Sequence, residues 1–179
     1  MKSPDPIQDP RAYQDHLVGL VGDDDPADVQ AGTPQRVRAL VGDAGDDAHA
    51  RPAQGEWSVL ECLAHMVDAE LVSAARYRWI LAHDEPDLIG YDQDLWIDRL
   101  HQPVDDPVEL LSLFDSLRQA NLALWAKIPA TLRDRFGIHR ERGPESYALL
   151  FTLLAGHDRF HLAQAERALA QVRRERRGR

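Results

Sequence analysis

Apolar residues in this chain recur at intervals of three and four, and no convincing run alternates apolar and polar residues as a half-buried strand does. Side chains at such intervals share one face of a helix, so the pattern predicts an all-α protein. The 179 residues, 44% of them hydrophobic, are enough for one domain with its own core and too few for two comfortable ones. The sequence therefore predicts a single domain packed from amphipathic helices.

Capping signals mark where the helices begin. Asp9 and Asp106 each precede a proline, and an acidic cap followed by proline at the first helical position is typical of a helix start. Ser58 and Glu61 have the spacing of a capping box, in which each side chain accepts a hydrogen bond from the other residue's backbone amide. The expected helices are 9–22, a shorter one at 33–42, 58–83, a short one at 94–100, 106–128, and one from about 144 to beyond 169. Four main helices with moderate connections predict an antiparallel four-helix bundle with an additional short N-terminal helix.

Charge divides the chain at residue 172. Residues 1–172 are expected to form the single bundle domain, while residues 173–179, with five arginines and one glutamate, are expected to be a basic, disordered tail or the frayed end of the last helix. The whole chain carries −9, and removing the +4 of the tail leaves −13 on residues 1–172. Because so acidic a body repels phosphates, we expect no nucleic-acid partner.

The sequence also predicts a cytoplasmic location. It contains no stretch of eighteen or more apolar residues, so no membrane span is expected, and its N-terminus lacks the apolar core of a signal peptide. Cys62 is the single cysteine, which excludes an internal disulfide and fits a reducing compartment.

Three histidines lie on apolar helical faces. His157 and His161 are four residues apart, so they stand one turn from each other on the same side of the last helix. Burying two imidazoles is costly unless each finds a partner, and a shared divalent cation satisfies both. The alternative is a pair of core histidines hydrogen-bonded to carbonyls or carboxylates. His65, within the helix that Ser58 opens, could reach their level from a facing helix, and three histidines would leave a position open for catalysis.

The segment from His157 to His161 also resembles the HExxH motif of zinc proteases. Aspartate stands where those enzymes have their glutamate base, so the carboxylate is one methylene shorter. No convincing third ligand follows downstream. The sequence therefore disfavours a protease.

Several segments resemble the DinB-like superfamily, which includes proteins of the YfiT type. Residues 55–70, GEWSVLECLAHMVDAE, resemble its "WS…H…E" helix. Residues 153–164, LLAGHDRFHLAQ, which follow an Arg-Gly pair at 142–143, resemble its closing HxxxHxxQ helix. Residues 91–96, YDQDLW, resemble its loop between the second and third helices. The resemblance covers roughly residues 10–170 and includes all three histidine positions.

This resemblance implies a four-helix bundle, usually a homodimer, that holds one divalent metal ion with His65, His157 and His161. The ion would be zinc, nickel or another first-row transition metal, because imidazole suits several of them. Members are described as metal-dependent hydrolases, and related branches are S-transferases that use low-molecular-weight thiols such as bacillithiol, mycothiol or glutathione. The resemblance thus implies a small-molecule substrate, which in the transferase branch would be a low-molecular-weight thiol.

Both reactions depend on one physical effect, since a metal ion lowers the pKa of a water or a thiol in its open position. Tyr91, Trp96 and His139 lie in connecting loops, where we expect them to form a rim that selects the substrate, or else to anchor the loops. A second hypothesis is a metal-stabilised, stress-associated binding protein without turnover. It requires the same three histidines, so the sequence does not separate the two.

Overall fold

The computed structural model describes residues 8–101 and 105–178. Its helices are α1 (Pro10–Val21), α2 (Pro26–Ala44), α3 (Val59–Ala82), α4 (Gln93–Leu100), α5 (Pro107–Lys127) and α6 (Tyr147–Arg177), with short 3-10 helices at Gly45–His49 and Ala130–Leu132. Its strands are β1 (Asp87–Leu88), β2 (Phe136–His139) and β3 (Gly143–Ser146). Within the described ranges, no helix is long and apolar enough to cross a membrane.

The four longest helices, α2, α3, α5 and α6, form the predicted four-helix bundle, and α1 packs on α6 as the additional N-terminal helix. The capping box of Ser58 and Glu61 is present at the start of α3. Gly156 is the point at which α1 crosses α6, because a Cβ there would lie 2.0 Å from the carbonyl oxygen of Leu17. A glycine at this position thus lets α1 pack directly against the turn of α6 that carries His157.

Helix directions in the bundle are mixed. Each helix has two neighbours, in the order α2, α6, α3, α5 and back to α2. Hydrogen bonds show the helix directions: Gln30 with Phe151 and Asp43 with Arg173 join α2 to α6, and Glu70 with Arg118 and Arg78 with Asn121 join α3 to α5. In both pairs the residue numbers rise together, so these two neighbouring pairs run parallel. Two parallel helices that follow each other in the chain need a connection as long as the bundle, because the chain must return to the end where it started. The connection from α3 to α5 is of this kind, and it contains β1 and α4.

Helix α2 begins at Pro26 rather than at the predicted Thr33. Asp25 caps it by accepting a hydrogen bond from the amide of Ala27, so the acid–proline pair between the two predicted helices is itself a helix start. Pro34 then lies inside the helix, where its missing N–H leaves the carbonyl of Gln30 without an intrahelical partner. Arg118 of α5 donates to that carbonyl at 3.0 Å, which compensates the lost bond.

Two of the connections between helices form a small sheet, which the sequence did not predict. Strand β1 lies between α3 and α4, and β2 and β3 lie between α5 and α6. Strand β1 pairs in parallel with β2, which pairs antiparallel with β3 in the register Phe136 opposite Ser146 and His139 opposite Gly143. Strands of two to four residues are too short for alternation to stand out in a sequence. The sheet fixes the position of His139.

Residues 173–177, for which the sequence left a disordered tail and a frayed helix end as alternatives, form the end of α6 in the structure. Arg173 pairs with Asp43 at 2.9 Å, and Arg176 pairs with Asp47 at 2.5 Å. The acidic end of α2 and the 3-10 helix that follows it thus lie beside the arginines, which accounts for their order.

Candidate metal centre

His65, His157 and His161 converge in the core between α3 and α6, as the sequence predicted. These two helices run antiparallel, since Trp57 contacts His161 and Tyr77 contacts Tyr147. His65, in the first third of α3, is thereby level with His157 and His161. The three side chains are buried, and one ring nitrogen from each lies within 4.8 Å of the others. The Nε2 atoms of His65 and His157 are 2.9 Å apart. A group of this kind could hold a metal ion.

Hydrogen bonds define which nitrogen of each ring faces the group. Nδ1 of His161 donates to Oε1 of Gln164 at 2.9 Å, which leaves Nε2 as an acceptor. His65 and His157 direct their Nε2 atoms at each other, and their Nδ1 atoms are buried without a hydrogen-bond partner in the described residues. Either one Nε2 donates to the other, or both Nε2 atoms act as acceptors toward a shared cation. The Nε2 atoms are therefore the candidate ligand atoms.

The three rings are neutral near pH 7. Burial lowers the pKa of each ring well below its ordinary value, because a low-dielectric surrounding disfavours the imidazolium. In addition, a proton on any one of the three rings would repel a proton on its neighbour, which lowers the pKa of each ring further. Neutral imidazole is the form that binds metal ions, so the donor set fits a divalent transition metal.

A cavity of about 1090 Å³ opens beside the three histidines. One wall is a single face of α3, where the lining residues are His65, Ala69, Val72, Ser73 and Arg76. The cavity is at the upper end of the range of about 300–1,000 Å³ for small-molecule sites. It is therefore large enough for a drug-sized molecule next to the histidines.

The three predicted rim residues have different positions. Tyr91 and His139 line the cavity, whereas Trp96 is not among the lining residues and packs on Tyr91 with ring centroids 4.4 Å apart. His139 is 1% exposed, so it is part of the wall rather than of a rim. Burial and the charge of Arg142 lower the pKa of His139 to about 4, which keeps this ring neutral as well.

Sequence reasoning missed two residues of this site. Trp57 entered the sequence analysis only as part of the segment 55–70, without a role at the site, yet its ring stacks on His161 and lies 5.0 Å from the ring of His65. Arg76 lines the cavity eleven residues after His65, which is close to three helical turns. That spacing was the signal that could have identified it.

The aspartate of the HxxxH segment does not face the histidines. Asp158 accepts two hydrogen bonds from Arg118, at 2.5 and 3.0 Å, and both residues are 1% exposed. Arg118 also donates to Glu70 of α3 and to the carbonyl of Gln30 of α2. The carboxylate that a zinc protease would use as a base is thus held in a buried ion network that joins all four bundle helices.

Comparison with known proteins agrees with this geometry. A protein from Oceanobacillus iheyensis is 24% identical over 118 residues, 65% of this chain and 67% of the relative. One from Bacillus mycoides is 32% identical over 111 residues, 61% of this chain and 62% of the relative. Both are provisionally named metal-dependent hydrolases.

Among solved structures, YfiT from Bacillus subtilis superposes with a TM-score of 0.73 at 19% identity, over 88% of this chain and 86% of YfiT. It is described as a probable metal-dependent hydrolase with an unusual four-helix bundle topology, and the likeness establishes a shared fold. The family model of the DinB superfamily matches residues 31–165, three quarters of the chain. This chain therefore belongs to the DinB superfamily.

Proposed function

We propose that this protein is a metal-dependent hydrolase of small molecules whose divalent ion is held by His65, His157 and His161. The observation that carries the proposal is the convergence of three buried, neutral imidazoles next to a cavity of about 1090 Å³. The provisional names of the relatives point in the same direction.

The alternative of ordinary core histidines accounts less well for the hydrogen bonds. A satisfied core histidine bonds to a carbonyl or a carboxylate through at least one nitrogen. Only His161 has such a partner in the part of the chain that the structure describes, namely Gln164. The remaining two rings contact each other through Nε2 and leave Nδ1 unpaired. Burying two rings without a carbonyl or carboxylate partner is costly, and a cation bound by their Nε2 atoms would offset that cost.

Three protein ligands leave a coordination position open, and a bound divalent ion would supply Lewis acidity there. The chain's own residues prepare the site around it. Gln164 fixes the orientation of the His161 ring, and Trp57 covers one side of the histidine group and excludes water there. Burial and the nearby charge of Asp68 raise the pKa of Tyr91, so its phenol stays protonated and can donate a hydrogen bond to a substrate.

Transfer of a low-molecular-weight thiol is the second candidate reaction. The cavity has room for it, since a transferase must hold a thiol and an electrophile together, and about 1090 Å³ lies slightly above the range of about 300–1,000 Å³ for sites that hold one small molecule. A binding protein without turnover is the alternative from a different class. A homodimer and a cytoplasmic location stay predictions, and light scattering should give twice the 20.2 kDa chain mass.

The test combines metal analysis with two activity screens. Purified wild-type protein should contain one divalent ion per chain, and elemental analysis identifies it. It should also hydrolyse activated esters and amides, or conjugate glutathione to an electrophilic aromatic halide. His65→Ala should lose both the metal and the activity, whereas His49→Ala, at an exposed histidine, should retain both. Metal without turnover in either screen would favour the binding protein, and a metal-free wild type would contradict the site itself.

A further inference from the structure

Two arginines are buried among the described residues, and only one of them is neutralised. Arg118 is 1% exposed and bonds the carboxylates of Glu70 and Asp158. Arg76 is 7% exposed, yet its one hydrogen bond among described residues goes to the carbonyl of Ile89 at 2.6 Å. Its Nε is buried without a partner, and no described carboxylate lies within 4.0 Å. Burying a cation without a counter-ion costs free energy, so the position of Arg76 calls for a ligand that would supply the missing negative charge.

Arg76 lines the same cavity as the histidines, at a different level. His65 and Arg76 are eleven residues apart on α3, so they lie on one face of the helix with Cα atoms about 16 Å apart. Between them the wall consists of small or apolar side chains, which are Ala69, Val72 and Ser73. On the α3 side, the cavity wall between the histidine group and the guanidinium of Arg76 therefore carries no charged side chain.

The charges around Arg76 leave an excess of positive charge. Burial and the charge of Arg142 lower the pKa of Arg76, while the charge of Glu145 raises it. Arg142 itself is occupied, because it donates to both carboxylate oxygens of Glu145 at 2.6 and 3.0 Å. Glu145 is fully buried and also accepts from Gln14. The group of Arg76, Arg142 and Glu145 thus has a net charge of +1.

His139 adds a second unpaired donor at the same place. Its Nδ1 accepts the backbone amide of Glu141 at 3.3 Å, so the ring proton is on Nε2. That Nε2 is buried and has no partner among the residues described. A Cβ on Gly90 would lie 3.5 Å from this Nε2 and 3.4 Å from Oε2 of Glu141, and Gly90 follows Ile89, whose carbonyl binds Arg76. Both donors therefore lie against one loop and face one cavity.

We propose that Arg76 and the Nε2–H of His139 form an anion subsite that binds a carboxylate of the substrate. The planar guanidinium matches a carboxylate in geometry, and the imidazole N–H supplies a further donor. The identity of the substrate rests on the proposed function. If that function holds, the substrate is an elongated small molecule with its reacting group at the histidines and an anionic group at the other end. The acidic residues of the lining are Glu56, Asp92, Asp94 and Glu141, and all four are exposed. Water screens an exposed carboxylate, so these residues oppose a bound anion less than a buried carboxylate would.

The test measures binding of a simple anion by calorimetry on protein freed of metal with a chelator. The probe is glutarate, and its neutral diamide controls for shape. Wild-type protein should bind glutarate and not the diamide. Arg76→Met should bind it about 10- to 100-fold more weakly, which corresponds to loss of a charge-assisted contact. Arg78→Met removes the same charge from an exposed position on the same helix and should leave affinity unchanged.

Two further variants make the result decisive. His161→Ala should bind glutarate as wild type does, since the subsite is distinct from the histidine group. Arg76→Lys keeps the positive charge but lacks the planar guanidinium, so it should bind glutarate at least about tenfold more weakly than wild type. It replaces Arg76→Met in the comparison if Arg76→Met fails to fold. Equal binding by wild type and a folded Arg76 variant, or no binding by wild type, overturns the subsite. Neither result touches the metal proposal, which metal analysis tests separately.

Discussion

Removal of one histidine should separate the metal's contribution to stability from that of the core. His161→Ala leaves two imidazoles, which are a poor site for most divalent ions. A ligand that binds only the folded state stabilises it by about 4 kcal/mol at a thousandfold excess over its dissociation constant. In a chain of this size each kcal/mol shifts the melting midpoint by about 2–4 °C. Chelation should therefore lower the wild-type midpoint by roughly 8–16 °C.

The substitution also has a packing cost that the assay must cancel. The His161 ring is 5% exposed and contacts Trp57 and Phe160, so alanine leaves a cavity that costs about 2–4 kcal/mol by analogy with other large-to-small changes. Each protein is therefore melted with and without chelator, and only the difference is compared. His161→Ala should show no difference, whereas His49→Ala should retain the wild-type shift.

The bundle should still fold without metal, because its core consists of apolar side chains from all four helices. The reasoning is refuted if chelator leaves the wild-type midpoint unchanged and elemental analysis finds no metal. His157 and His161 would then be core residues, and the proposed hydrolase would lose its chemical basis.

Three further predictions concern the surroundings of the site. Arg118→Met should destabilise the fold by about 3–5 kcal/mol in denaturant melts, because Glu70 and Asp158 would remain buried without a counter-ion; a loss below about 1 kcal/mol would contradict this. The pKa of His139, lowered from 6.5 to about 4, means that between these values the unfolded chain takes up a proton that the folded chain does not. Stability should therefore fall with decreasing pH by up to about 1.4 kcal/mol per unit in that window, and His139→Gln should lack this component. Gly156→Ala should cost at least about 1–3 kcal/mol, since its Cβ would overlap the α1 backbone, and a melting point equal to that of wild type would exclude this close contact.

Local signals predicted the helices well. The capping box at Ser58 and the acid–proline starts at Asp9 and Asp106 are present in the structure. The same kind of signal at Asp25 also starts a helix, although the sequence analysis placed the start of the second helix at Thr33. Pro34 then looked like a helix start. In the structure it is an interior residue, and the compensating donor comes from α5, which no local pattern reveals.

The sequence by itself determined the helix faces and the His157–His161 pair, because a spacing of four residues places two side chains one turn apart in any helix. Only the tertiary structure decided that α3 runs antiparallel to α6 with His65 at their level, that α2 runs parallel to α6, and that Arg76 and His139 face one cavity. These features join residues far apart in the chain, and their relative positions depend on how whole helix surfaces pack. Periodicity and capping act over one or two turns, so they carry information about each helix and none about its neighbours.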